Sequence, residues 1–324
     1  MMKSAKFDGN KISIIETQKP FLNTKGAIIK VLGCGLCGSD LIKIKHKDKN
    51  AVLGHEVVGV IEQINVFEDK FKIGDIVSLT HHYPCFNCDF CKNGSYSMCR
   101  TFKNSNIYPN GFSEYIKIDK NHLQYTVYKM NTALKEDEMA FLEPLSCTIR
   151  AVRRAGFSIE ADNSKYSALV IGLGSIGLLM LKSLKAFNVQ AFGFDISKQR
   201  MDEAHKHGFN YDKNRKYDTV FLCAGSTKAI QGALESVIDG GKIIVFSSVE
   251  DDNTGFFNNE IYYRELSIIA SYSPSIEDIK LSSELLNSKK VDVASISTYY
   301  SLDNLACAID DSLNNRVFKV YVKI

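Results

Sequence analysis

Four cysteines crowd one short stretch: Cys85, Cys88, Cys91 and Cys99 follow the pattern C-x2-C-x2-C-x7-C. Pro84, Asn87, Asn93 and Gly94 mark the stretch as turn-rich. Four thiolates at such spacing can close a tetrahedral shell around Zn²⁺ and leave no open position, which describes a structural ion. Spacing alone also fits an iron–sulfur cluster. His81 and His82, just ahead of the cysteines, read as strand-end surface residues.

A second set of ligand types is dispersed. It comprises Gly35-Leu36-Cys37-Gly38-Ser39-Asp40, then Gly54-His55-Glu56, then Leu142-Glu143-Pro144-Leu145-Ser146. One Cys, one His and one carboxylate drawn from separate loops match a three-ligand shell whose fourth zinc position stays open for water or substrate.

A third constellation is glycine-rich. The apolar run Tyr166 to Ile171 leads into Gly172-Leu173-Gly174-Ser175-Ile176-Gly177 and then an apolar helix, and Asp195 closes the next strand-like run 18 residues after Gly177. A strand, a G-x-G-x-x-G turn, a helix and an acid at that distance form a dinucleotide-binding fingerprint. Gly172 serves the tight turn, Gly174 the approach of a pyrophosphate, and Gly177 close helix-to-strand packing. The N–H groups from Ser175 and Ile176 onward offer partial positive charge to a diphosphate. Asp195 suits ribose hydroxyls and repels a 2′-phosphate, which favours NAD over NADP, while Arg200 and Lys198 leave a phosphate pairing open.

The elements that must position these groups change character near residue 145. Before it, runs such as Ala27 to Leu32, Val57 to Ile64, Ile76 to Thr80 and Phe112 to Ile118 are rich in β-branched and aromatic residues, which predicts antiparallel β structure. From Tyr166 onward strand-like runs alternate with helical ones (Ser175 to Phe187, Ser197 to Lys206, Lys228 to Ile238), which predicts an α/β domain with a doubly wound parallel sheet. Leu266 to Ala270 and a helix from Ile276 to Asn287 would extend it. Only Gly208 to Lys216 separate the second of these helices from Tyr217, too few for another strand and helix, so a trimmed domain is expected. The alternating tail Val317 to Val322 is expected to return to the first domain as a strand.

Taken jointly and in this order, the motifs resemble the zinc-dependent medium-chain dehydrogenase/reductase (alcohol dehydrogenase) family, most closely its sorbitol, polyol and galactitol-phosphate dehydrogenase branch. The resemblance covers essentially the whole chain. It implies a GroES-like β domain with catalytic zinc over residues 1–148, a Rossmann dinucleotide-binding domain over 149–289, and a return to the catalytic domain over 290–324. By that resemblance Cys37, His55 and Glu143 are catalytic zinc ligands, and Glu56 is an adjacent glutamate used as a ligand or just behind one. Cys85, Cys88, Cys91 and Cys99 match the structural zinc lobe. Ser39 falls on the hydroxyl that takes the substrate proton. Two positions depart from the family pattern: Ile42 stands where many relatives continue the proton path with a histidine, and Arg150 stands near another histidine position. The implied reaction is hydride transfer between a secondary alcohol, a polyol or sugar alcohol, and NAD. The implied assembly is a homodimer or homotetramer.

Composition sets the outer limits. The chain has 324 residues, 45% hydrophobic and 24% charged, which excludes disordered and coiled-coil classes. The longest apolar stretch, Ala168 to Leu181, is 14 residues with three glycines, short of the roughly 20 needed for a membrane span. The start, Met1 to Asp8, turns charged where an export signal needs apolar residues, so a cytoplasmic chain is expected. Net charge is +3 with no long basic run, which gives no reason to expect nucleic acid; Lys43, Lys45, His46, Lys47 and Lys49 read as a solvated loop. Cys34, Cys147, Cys223 and Cys307 read as small buried fillers, with Cys34 and Cys147 near ligands and open to oxidation. Two rival readings follow from the same residues: a dehydrogenase of a phosphorylated polyol, NADP-linked, with the lysine-rich stretch supplying charge, and a catalytically silent zinc- and nucleotide-binding scaffold.

Overall fold

The computed structural model describes residues 1–49, 51–248, 258–294 and 296–324. They form two units, one comprising Met1–Glu143, Ser275–Lys289 and Val293–Ile324, the other Pro144–Pro274 and Lys290–Asp292.

In the first unit β1 (Met2–Phe7) and β2 (Ile12–Thr17) form an antiparallel pair. The next five strands are β3 (Gly26–Leu36), β4 (Glu56–Ile64), β5 (Ile76–Leu79), β6 (Tyr115–Asp119) and β7 (Val127–Lys129). The second unit contributes β8 (Ser167–Ile171), β9 (Gln190–Phe194), β10 (Tyr217–Leu222), β11 (Val237–Val245) and β12 (Ser267–Ala270). Finally β13 (Ser297–Ser301) and β14 (Lys319–Lys323) rejoin the first unit, where β14 runs antiparallel to β3 and completes the sheet order β13-β14-β3-β4-β5-β7, with β6 also on β3.

β3 organises the first unit. Its eleven residues reach β4, β6 and β14, and Ile29, Val31, Val57, Ile61, Val77 and Phe112 pack into one core. The β3–β4 register sets Gly35 opposite Glu56. The ends of these two strands therefore carry Cys37 and His55 toward each other, which the sequence could not show from loops 18 residues apart.

The second unit's parallel sheet has the order β12-β11-β10-β8-β9. β8 is buried at every position, as expected of a central parallel strand, and helix Ser175–Ala186 buries most of its residues. In a doubly wound sheet ordered 3-2-1-4-5-6, the third strand would lie outside β9. Here residues 207–216 hold neither helix nor strand, so the domain is trimmed as the spacing predicts. The connector instead covers the β9 edge: Gly193 N–H donates to Asn210 O at 3.0 Å, Tyr211 packs its ring 4.7 Å from that of Phe194, and the Arg215 guanidinium lies 4.7 Å over Phe192.

Three expectations need correction. Helix Ile276–Asn287 groups with the first unit instead of extending the parallel sheet; Asn287 accepts from Asn131 N–H at 2.8 Å and donates to Lys129 O. An apolar helical face reads the same whichever sheet it serves. The change of unit falls at Glu143 and Pro144, not at 148, and only Lys290–Asp292 of the tail belongs to the second unit. The helix expected to reach Ile238 ends at Ser236, because β-branched Val237 and Ile238 already belong to β11.

Candidate active site

The four-cysteine lobe is built from two short turns. Cys88 precedes helix Asp89–Lys92, and Cys99 precedes helix Arg100–Asn104. Their sulfurs stand 3.5 to 3.9 Å apart (Cys88 to Cys91 3.5 Å, Cys99 to Cys85 3.5 Å, Cys85 to Cys91 3.9 Å), and all four thiols are free of disulfides. A tetrahedron with Zn–S arms of about 2.3 Å has edges of about 3.8 Å, so the donor set fits the ion without rearrangement. Cys91, Cys99 and Phe102 are the buried members of a small cluster separate from the main core, and the lobe is also held by the Phe86 ring 4.5 Å from that of Tyr125.

The second group converges where β3 ends and β4 begins. Ligand atoms of Cys37, His55 and Glu56 lie within 4.8 Å of one another, His55 and Glu56 buried and Cys37 half-buried. Sulfur, imidazole and carboxylate are a donor set that suits zinc. Glu143 is outside this trio: it sits buried in the first turn of helix Leu142–Arg154. Ser39 is exposed at the start of helix Gly38–Lys45.

Two charged residues given no role by the sequence reading hold the group in place. Asp40, fully buried, accepts from Cys37 N–H and Gly54 N–H, both at 3.2 Å, and its Oδ1 lies 3.5 Å from His55 Nδ1. Burial works against a charged Asp40, yet the His55 and Lys43 charges and the Cys37 N–H bond hold its carboxyl below the ordinary range. Burial likewise opposes a protonated His55, and the Asp40 and Cys37 charges outweigh it, raising the imidazole well above its usual value. Lys319, on β14, is the other: its Nζ donates to Glu56 Oε1 at 2.6 Å and to Leu36 O at 3.1 Å. The Glu56 carboxylate occupies the space above Gly35, where a Cβ would stand 1.9 Å from Oε2.

His81 and His82 are half-buried instead of exposed. The His81 ring packs 4.5 Å from His55 and 3.7 Å from His82, and burial with the neighbouring histidine charges pushes His81 well below the ordinary histidine pKa. The lysine-rich stretch is likewise only partly a loop. Lys43 and Lys45 belong to helix Gly38–Lys45, and Lys43 Nζ donates to Val52 O at 2.9 Å. Cys34 is fully buried with its thiol pushed well up by desolvation, which makes it an inert filler. Cys307 is exposed.

In the second unit Gly172 takes φ +94°, and a Cβ there would meet Ala224 at 2.7 Å; at Gly177 it would meet Gly172 O at 1.8 Å. At Gly174 a Cβ would meet nothing within 4 Å. The first two glycines are demanded by the fold, whereas the third opens space at the N-terminus of helix Ser175–Ala186, where an anion is favoured. Asp195 accepts from Leu173 N–H at 2.7 Å and Ser197 N–H at 2.8 Å, and Arg200 lies 3.4 Å away. Beside the loop is a cavity of about 430 Å³ lined by Phe194, Asp195, Ile196, Arg200, Ala224 and Ser226. Ile196, which the sequence reading passed over, is a 96% exposed apolar side chain on the wall of this cavity. Its signal was an apolar residue directly after the acid.

Two family models match the chain: the alcohol dehydrogenase GroES-like domain over residues 23–129 and the zinc-binding dehydrogenase domain over residues 175–288. The chain is a zinc-dependent medium-chain dehydrogenase/reductase. It is similar to sorbitol dehydrogenase of Bacillus subtilis, 28% identical, covering 99% of this chain and 97% of that one. It is also similar to D-altritol 5-dehydrogenase of Agrobacterium fabrum, 27% identical over 76% of each. Among solved structures, one described as a zinc-binding dehydrogenase of Sinorhizobium meliloti, bound to NADP, superimposes with a TM-score of 0.89 at 19% identity, covering 100% of this chain and 99% of that one.

This dehydrogenase is therefore an oxidoreductase, and its two donor clusters could hold zinc. No helix among the described residues is long and apolar enough to cross a membrane.

Proposed function

We propose that this dehydrogenase oxidises a secondary alcohol of a polyol or sugar alcohol with NAD as hydride acceptor. The observation that carries the reading is the convergence of Cys37, His55 and Glu56 within 4.8 Å at the ends of β3 and β4. The names of the relatives, a sorbitol and an altritol dehydrogenase, support the polyol class. Zinc held by this group would supply the Lewis acidity that lowers an alcohol's pKa, and a nicotinamide held by the glycine loop would supply the hydride acceptor.

The chain's own residues do the rest. Cys37, His55 and one carboxylate, Glu143 or Glu56, hold the ion. Asp40 orients the His55 ring, as partners of metal-bound histidines do. Ser39 takes the alcohol proton at its hydroxyl, and its exposure lets the proton leave to water without the histidine that Ile42 replaces. Gly174, Ser175 and Ile176 hold the diphosphate on backbone N–H groups, Asp195 takes the ribose hydroxyls, and Ile196 offers the adenine an apolar face. We read the Asp195 carboxylate as selecting NAD, with Arg200 already held by it. Cys85, Cys88, Cys91 and Cys99 hold the second, structural ion.

We also read the chain as a cytoplasmic homodimer or homotetramer. Among the described residues β12 is an edge strand of its sheet, and Ile268 on it is 44% exposed. Sedimentation at micromolar concentration tests the assembly. A cofactor-coupled screen of secondary alcohols, polyols and polyol phosphates, with NAD and NADP in parallel, tests the reaction. Turnover of free polyols with NAD is expected. Zinc and NAD binding without turnover on any alcohol would overturn the reading in favour of a silent scaffold, and turnover confined to phosphate esters would move it to the phosphorylated class.

A further inference from the structure

The cavity beside the glycine loop is walled by more than the groups already assigned to the cofactor. Besides Asp195 and Ile196 it takes in Phe194, the last residue of β9, and Tyr211. Tyr211 belongs to the connector 207–216, which stands where a complete domain of this order has a third strand and a helix. Its ring is half-buried, 4.7 Å from that of Phe194 and tilted from it by 40°. The backbone on both sides of it is tied down: Asn210 O accepts from Gly193 N–H at 3.0 Å, and Asp212 O accepts from the Tyr217 hydroxyl at 2.9 Å. A partly open aromatic ring, fixed on both flanks and sharing a cavity of about 430 Å³ with Asp195, is placed to touch a ligand as well as to cover a strand edge.

We propose that Tyr211 is a specificity-determining residue of the cofactor site and packs against the purine base of the dinucleotide. This rests on the dinucleotide reading above. There Asp195 takes the ribose hydroxyls, and the 2′-hydroxyl sits on the carbon next to the one that carries the base. The base therefore begins within a few bonds of Asp195, at the cavity that Asp195 and Tyr211 share. Ile171, Phe194 and Tyr211 give that cavity an apolar, partly aromatic wall, which favours burial of a flat ring over its exposure to water. A purine has two fused rings and reaches farther along such a wall than the single ring of a pyrimidine. The connector then has two tasks: it closes the β9 edge and forms one side of the base pocket.

The test compares NAD with nicotinamide cytosine dinucleotide, which keeps the nicotinamide, the riboses and the diphosphate and replaces the purine by one ring. Calorimetric dissociation constants on the zinc-loaded protein serve as the readout, so no turnover is needed. The wild type is expected to bind NAD about tenfold or more tighter than the cytosine analogue. Tyr211→Ala should weaken NAD by about tenfold and the analogue by less than about threefold, the size expected for losing one base–aromatic contact. Tyr211→Phe keeps the ring and should stay within about threefold of wild type on both. Equal weakening of the two dinucleotides, the result of a merely structural role, would overturn the proposal, as would an unchanged NAD constant. A wild type that binds both without preferring the purine would overturn the role of Tyr211 alone. A wild type that binds neither would overturn the dinucleotide reading and this proposal with it. If Tyr211→Ala does not fold, Tyr211→Leu, which keeps apolar bulk against Phe194, decides: a preference for NAD below that of wild type supports the contact, and an equal preference overturns it.

Discussion

Lys319 and Glu56, 263 residues apart in the chain, form a buried ion pair in which Nζ lies 2.6 Å from Oε1. Both side chains are at most 6% exposed. Burial lowers the lysine pKa, but Glu56, then Cys37 and Glu143, more than offset it and hold Lys319 above its ordinary value. Its folded pKa being raised, the stability it contributes is complete below the unfolded value near 10.5 and is lost only as pH rises through the folded value. Removing one partner strands a buried charge. Lys319→Met is expected to destabilise the zinc-loaded protein by about 3 to 5 kcal/mol in urea unfolding, and Lys319→Met with Glu56→Gln to recover most of that. A single variant that matches wild type would show the pair to be idle.

The two metal groups should fail differently. Cys88 belongs to a lobe whose buried cluster, Cys91, Cys99 and Phe102, is small, so a bound ion is expected to carry much of its stability. Cys37 instead directly follows β3, one of the most extensively paired strands of the first unit. Cys88→Ser is expected to lose one zinc per chain and several kcal/mol of stability; Cys37→Ser is expected to lose turnover and the other zinc, with the melting temperature little changed. Metal analysis, thermal melting and activity on the same preparations check both. The reverse pattern would exchange the two assignments.

What the sequence made legible was local. Four cysteines within one loop, or a strand, a glycine turn and a helix in series, carry their geometry in their spacing. The trimmed connector was visible by counting residues between Lys206 and Tyr217. Lys319 and Asp40 were not visible, because their roles are fixed by the β14–β3 register and by two backbone N–H groups that only folding brings together. His81 was read as surface because a strand end gives no hint that the facing ring is His55. Helix Ile276–Asn287 was placed in the wrong unit because its polar anchors, Asn131 and Lys129, lie far back in the sequence.

Asp195 has two tasks that one substitution separates from the cofactor's identity. Its carboxylate holds Leu173 N–H of the glycine turn and Ser197 N–H of the following helix, and faces Arg200. Asp195→Ser removes the charge that opposes a 2′-phosphate and lets Arg200 turn to one. The Michaelis constant for NAD is expected to rise about tenfold or more, with NADP affected less, so that the NAD to NADP ratio of kcat/KM falls. Steady-state kinetics with both cofactors measure this, and an unchanged ratio would remove Asp195 from cofactor selection.

His82 gives the fold an acid-labile point outside the metal group. Burial pushes its imidazole down to about 4 from 6.5, helped by the His55, His122 and Lys43 charges and only partly opposed by the Ser105 carbonyl. The ring stays neutral in the folded chain while the unfolded chain takes up a proton. Stability is therefore unaffected above pH about 6.5, falls as pH drops from there toward 4, and levels off once both states are protonated. At about 1.4 kcal/mol per pKa unit, the loss across that window is roughly 3 kcal/mol. His82→Phe keeps the packing against Phe102, whose ring lies 5.0 Å away, and cannot titrate. Urea unfolding at pH 7, 6, 5 and 4.5 should show a shallower fall for His82→Phe than for wild type, although the variant starts slightly less stable because the Ser105 carbonyl loses its partner. Parallel curves for the two proteins would mean that the acid sensitivity lies elsewhere, with Asp40 and Asp119, whose carboxyls the fold holds below the ordinary range, as the next groups to substitute.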